Sequence, residues 1–215
     1  MCSSDLAEGA GWMVIATGWA MAVMAGVFTA IACGGEGHLN PAVTLAAAIS
    51  SGDFSKVGPY IAAQMAGALV GACLVWLHFL PHWKVTPEAD LKRACFCTAP
   101  AIWSPMANLL SEIIGTFVLV LVAGAIFSKA VAATGPVAGL GPYLVGSLFW
   151  GIGLSLGGTT GYAINPARDL GPRIAHAILP IANKEGSDWG YAAIPIVGPL
   201  VGGSLAGVVV RLVHF

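Results

Sequence analysis

Gly161-Tyr162-Ala163-Ile164-Asn165-Pro166-Ala167-Arg168-Asp169 decides how the chain folds, together with its echo Gly37-His38-Leu39-Asn40-Pro41-Ala42-Val43-Thr44. Each Asn-Pro-Ala stands between long apolar runs and has the residues of a helix start. Asparagine is a favoured N-cap, and proline suits the first helical position because its missing N–H would have had no partner inside the helix. The residue before a proline is pushed toward extended geometry, which an N-cap needs. Each motif therefore predicts an extended segment feeding a helix.

The helices that follow are short. From Pro41 to about Ser50, at ~1.5 Å per residue, the first spans ~15 Å, about half of a ~30 Å hydrocarbon core. Paired half-spans at matching places in two halves of a membrane protein point to a site near the bilayer midplane. There the two N-termini, each carrying about half a positive charge, would face each other.

Composition puts the chain in lipid. Hydrophobic residues make up 57% of it and charged residues 9%, with a mean hydropathy of +0.84; soluble domains carry about 25% charged residues. A net charge of −1 argues against a nucleic-acid partner. The five cysteines (Cys2, Cys33, Cys73, Cys95, Cys97) include one Cys-x-Cys pair and no zinc-like spacing, so they read as small apolar fillers or loop thiols.

Residues 1–9 are polar and lack the basic start of a signal sequence. Apolar runs predict five full crossings: Trp12 to Cys33, Gly58 to Leu80, about Asn108 to Phe127, Gly141 to Gly158, and Trp189 to Val210. The whole chain, 1–215, reads as one transmembrane channel domain, with a first repeat over 10–80, a polar connection over 81–105 and a second repeat over 106–215. Two full crossings precede the second motif, but only one precedes the first. The sequence therefore predicts an amino-terminally shortened version of a six-crossing protein, or a true beginning replaced by Met1 to Glu8. Basic residues do not fix the orientation, with Lys56, Lys129 and Arg211 on one side against Lys84, Lys92, Arg93 and Lys184 on the other. Gly67 with Gly71, Gly198 with Gly202, and Gly203 with Gly207 predict close helix packing, and Gln64 predicts a hydrogen bond to a neighbouring helix or to motif backbone.

Non-helical backbone at membrane depth survives only where protein buries it or water wets it. The carbonyls of Gly37, His38 and Leu39, and those of Tyr162, Ala163 and Ile164, are thus candidates for a ladder of acceptors along a pore. The amides of Asn40 and Asn165 would donate to a passing hydroxyl or water, while the helix dipoles repel cations, protons included. Arg168 sits in the first turn of its helix, where the dipole disfavours a cation, and that placement marks it as functional. Its fork would donate to solute oxygens. Asp169 suits a helix start and reads as structural.

The paired motifs resemble those of aquaporin-type (major intrinsic protein) channels, and Asn165-Pro166-Ala167-Arg168-Asp169 is similar to the glycerol-facilitator (aquaglyceroporin) branch, over about Gly11 to Phe215. The resemblance implies an all-α inverted repeat whose half-helices, starting at Asn40-Pro41-Ala42 and Asn165-Pro166-Ala167, meet at the midplane. It implies a selectivity filter of Trp19, Gly153, Tyr162 and Arg168. Trp19 fits if one extra residue lies between Cys33 and Glu36, and otherwise reads as an interface anchor. Ser111-Glu112-Ile113-Ile114-Gly115-Thr116 is similar to the opening of each family repeat, in which the Glu accepts hydrogen bonds from the unwound backbone. Asp169 marks the glycerol-conducting branch, where water-selective members commonly carry Ser. His38 reads as structural, and Pro172 as shaping the end of its half-helix.

Function follows as an expectation: passive, single-file passage of glycerol, other small neutral solutes and water through a multi-pass protein of the cell membrane. Water-only or broader conduction (urea, undissociated lactic acid) is the alternative, and a shortened chain that does not conduct is another. A membrane enzyme is disfavoured because no Ser/His/Asp arrangement, carboxylate pair or cofactor loop stands out, and His78, His82, His176 and His214 have no metal-site spacing. No cofactor is expected; a homotetramer in membrane lipid is what the resemblance implies.

Overall fold

The structure is a computed structural model that describes residues 11–131, 133–137 and 139–214. The leader Met1 to Glu8, Cys2 and Phe215 lie outside the described residues. The described residues form helices and loops: α1 Trp12–Ala32, α2 Pro41–Ser51, α3 Val57–His78, α4 His82–Val85, α5 Ala89–Ala94, α6 Pro105–Phe127, α7 Leu140–Leu156, α8 Pro166–Ile178 and α9 Ile194–Val213.

Four of these, α1, α3, α6 and α9, are long and apolar enough to cross a membrane. The fourth expected crossing, Gly141 to Gly158, is cut short: α7 has 17 residues, ~25 Å of helix. Gly139, in the left-handed region, starts it, and beyond Leu156 the chain turns toward the second motif through a 3.0 Å bond from the Gly161 N–H to the Gly157 carbonyl. The last crossing begins at Ile194 rather than Trp189 because 188–193 coils in turns, with Tyr191 N–H bonded to the Asp188 carbonyl at 3.1 Å.

The polar connection also differs from a plain loop. It holds α4 and α5, and its Trp83 and Phe96 are buried with Ala72, Ala175 and Ile181. Lys92, fully buried, donates to the Ala182 carbonyl at 2.6 Å.

Two sets of helices echo one another: α1, α2, α3 in the first half and α7, α8, α9 in the second. Each half-helix rests on the long helix of the other set, α2 on α9 and α8 on α3, while α1 pairs with α7 and α6 packs against α9 and α7. Small residues make these approaches possible. A Cβ on Gly203 would lie 2.8 Å from the Ala42 carbonyl oxygen, and one on Gly202 would lie 2.2 Å from that of Ile113. Gly198 and Gly207 sit in similar contacts, as the sequence predicts. Gly67 and Gly71 do not: nothing lies within 4 Å of a Cβ at either, because they point off the open face of α3, on which Ala72 alone is buried.

Candidate pore

The two Asn-Pro-Ala motifs meet, and each asparagine does two jobs. Asn40 and Asn165 have extended backbones (φ −144° and −159°) and cap their own helices: Asn40 Oδ1 accepts from Ala42 N–H at 2.9 Å, and Asn165 Oδ1 from Ala167 at 3.0 Å and Arg168 at 3.2 Å. Pro41 and Pro166 take the first helical position. Each Nδ2 then crosses to the opposite motif. Asn40 donates to the Ile164 carbonyl at 2.6 Å and Asn165 to the Leu39 carbonyl at 3.0 Å. An amide has two N–H bonds, so the crossed bond engages one N–H of each asparagine. The Leu39 and Ile164 carbonyls keep a second lone pair.

The unwound backbone is held differently in the two motifs. Gly161, Tyr162 and Ile164 all have positive φ (72°, 37° and 38°), a conformation that costs a side-chain-bearing residue about 1–3 kcal/mol and persists only where the surroundings fix it. Glu112, fully buried on α6, does so: Oε1 accepts from Ala163 N–H at 3.0 Å and Oε2 from Ile164 N–H at 2.7 Å. In the first motif Gly37 alone has positive φ (76°). There Gln64 of α3 donates to the His38 carbonyl at 2.8 Å and to Thr44 Oγ1 at 2.9 Å.

The four residues expected to form a filter come together. The Arg168 guanidinium carbon lies 4.0 Å from the centre of the Trp19 ring, a cation–π contact. Trp19 and Tyr162 share one buried cluster with Phe149 and Ile152. A Cβ on Gly153 would come within 2.7 Å of Tyr162 Cζ, so the ring occupies the room a side chain there would need. On the other side of the asparagines a cavity of about 560 Å³ opens, with Asn40, Asn165, His38 and Leu39 at its inner end and Val23, Val27 and Phe149 among its walls. At its mouth Glu36 pairs with Lys56, whose hydrogen bond and charge hold the Glu36 carboxyl below the usual carboxylate range.

Sequence reasoning found Asp169 but missed its partner. Arg173, one helical turn on and fully buried, donates to Asp169 through Nε (2.7 Å to Oδ2) and Nη2 (2.8 Å to Oδ1). Its other bonds reach the carbonyls of Thr98 (2.9 Å), Ser187 (2.6 Å) and Asp188 (2.8 Å), and Asp169 Oδ1 also accepts from Thr98 N–H at 2.8 Å. A basic residue following an acidic one by four on a helix was the available signal. Lys184 closes the end of α8, donating to the carbonyls of His176 (2.5 Å), Ala177 (2.8 Å) and Leu179 (2.7 Å). Burial pushes the Cys97 thiol in this region up to about 12, so it stays protonated.

The chain is similar to known proteins. The family model described as Major intrinsic protein matches residues 2–210. The chain is 55% identical over 196 residues (91% of this chain, 81% of the relative) to a probable glycerol uptake facilitator protein of Thermotoga maritima. It is 54% identical over 202 residues (92% and 70%) to the glycerol uptake facilitator protein of Bacillus subtilis. The X-ray structure of the aquaglyceroporin from Plasmodium falciparum superposes with a TM-score of 0.83 at 28% identity, covering 95% of this chain and 84% of that one. A match over nearly the whole length, joined to two half-helices capped head to head, makes this multi-pass membrane protein a member of the major intrinsic protein family.

Proposed function

We propose that the chain is a passive channel for glycerol and other small neutral solutes, with water, and not an enzyme. The observation that carries this reading is the filter's make-up: Arg168 against the face of Trp19, with Tyr162 lying over Gly153. Aromatic faces take the C–H side of a polyol, and the guanidinium fork takes its hydroxyl oxygens. A larger side chain such as histidine has no room at Gly153 beside the Tyr162 ring.

Passage then runs past Trp19, Gly153, Tyr162 and Arg168 and along the carbonyls of Ala163 and Ile164. At the centre the free N–H of Asn40 and of Asn165 donates to a hydroxyl. Gly37, His38 and Leu39 supply the next carbonyls, and the solute leaves through the 560 Å³ cavity. Arg168 and the two helix N-termini make the centre positive, which disfavours cations and protons. The glycerol facilitators at 54–55% identity support glycerol as the solute. A homotetramer is the assembly we propose with it, testable by cross-linking in the membrane.

Stopped-flow swelling of liposomes in a glycerol gradient tests the reading. Vesicles holding the protein should take up glycerol faster than empty ones, and Arg168→Ala should change the ratio of glycerol to water permeability. Uptake equal to that of empty vesicles overturns it.

A further inference from the structure

Trp12 belongs to none of the sequence motifs, yet it touches two residues of the filter, Gly153 and Tyr162, and the end of α7. Its indole Nε1–H donates to the Gly153 carbonyl at 2.8 Å. Its ring meets Tyr162 edge to face, with centroids 5.7 Å apart and planes at 75°. Its Cζ2 would stand 2.5 Å from a Cβ on Gly157, so the indole covers the end of α7 closely.

These contacts box the Tyr162 ring. Trp12 lies on one side and Phe149 on another, at 5.8 Å between centroids, and Gly153 lies below. The Gly153 carbonyl belongs to the last turn of α7, where carbonyls run out of helical donors. A tryptophan whose work was to anchor a helix at the lipid surface would turn its N–H toward the headgroups; this one turns it inward to α7.

We infer that Trp12 is a positioning residue of the filter. It fixes the plane of Tyr162 and occupies the Gly153 carbonyl, and so holds the aperture at one width and denies the pathway an extra acceptor. This rests on the glycerol-channel reading above. Without Trp12 the Tyr162 ring gains room to turn and the carbonyl becomes available to water. Water and larger polyols then gain on glycerol.

The test measures glycerol, water and erythritol permeability in the same liposomes for wild type, Trp12→Phe and Trp12→Ala, with the incorporated protein quantified. Loss of one hydrogen bond that shapes the barrier predicts a fall of about fivefold in the glycerol-to-water ratio for Trp12→Ala. Trp12→Phe, which keeps a ring and loses the donor, should fall between, and erythritol uptake should rise in the order wild type, Phe, Ala. Ratios that stay at the wild-type value in both variants, or fluxes that all decline in proportion, overturn the inference, since a merely structural role predicts that proportional decline. Should Trp12→Ala fail to fold, Trp12→Phe alone decides. If wild-type vesicles pass no more glycerol than empty ones, the channel reading falls by itself, and the water-to-erythritol ratio of the same variants decides the role of Trp12.

Discussion

The two Asn-Pro-Ala motifs cap their helices alike but are secured by different means. The second has three left-handed backbone residues, a buried carboxylate accepting two of its amides, and beyond them the Asp169–Arg173 pair tying α8 to the loops at Thr98 and Ser187. The first has one left-handed glycine and a neutral amide, Gln64, that donates to a carbonyl. No carboxylate bonds the amides of His38 or Leu39 among the described residues, and no helix there stands to α3 as α6 stands to α9. The same short motif thus specifies a cap, while the strain its approach segment can bear is set by what surrounds it.

That contrast predicts a ranking. Arg173→Ala leaves the Asp169 carboxylate buried without its partner, a loss of ~3–5 kcal/mol, to be read as earlier unfolding in a denaturing-detergent titration. Glu112→Gln is next. It exchanges one charge-assisted acceptor for an NH₂ group facing an amide, for ~1.5–3 kcal/mol, and glycerol flux should fall as the second motif relaxes. If the variant unfolds like wild type and conducts normally, the second motif holds its shape without Glu112 and the comparison breaks.

Gln64→Leu should cost less, ~1 kcal/mol. It gives up two neutral hydrogen bonds, but it also removes an Oε1 buried without a partner. A loss as large as that for Glu112→Gln would mean the first motif is as tightly determined as the second.

The smallest effect belongs to the mouth of the cavity. Glu36 and Lys56 are half exposed, and such pairs contribute little. Glu36→Gln should leave the unfolding midpoint near neutral pH unchanged. The sign of its pH dependence is fixed all the same. The Glu36 carboxyl is lowered in the folded chain, so whatever the pair adds is present above the ordinary carboxylate range and disappears as pH falls through the lowered value. A stability difference between wild type and variant that grew on acidification would contradict this.

Much of the architecture was legible because it is local. A proline after an asparagine announces a capped helix, and the likeness of Ser111 to Thr116 to the opening of the family repeat implies Glu112 as a buried acceptor. What escaped depends on partners far along the chain. Nothing beside Arg173 points to Thr98 or Ser187, and nothing beside Trp12 points to Gly153. The crossed bonds of Asn40 and Asn165 needed the two motifs already in place. Gly67 and Gly71 show the converse: their spacing is that of a packed helix pair, but spacing names no neighbour, and here they face outward. The connection over 81–105 looked like a loop by charge, yet its Lys92 is buried because a carbonyl waits for it.

The crossed asparagine bonds have a mechanical consequence. Because Asn40 clasps Ile164 and Asn165 clasps Leu39, the waist is a two-link buckle between the halves of the molecule. Widening it from either side strains both links together, so one half cannot swing open alone. Any widening of the middle therefore has to give up both hydrogen bonds at once, whether or not a solute is passing.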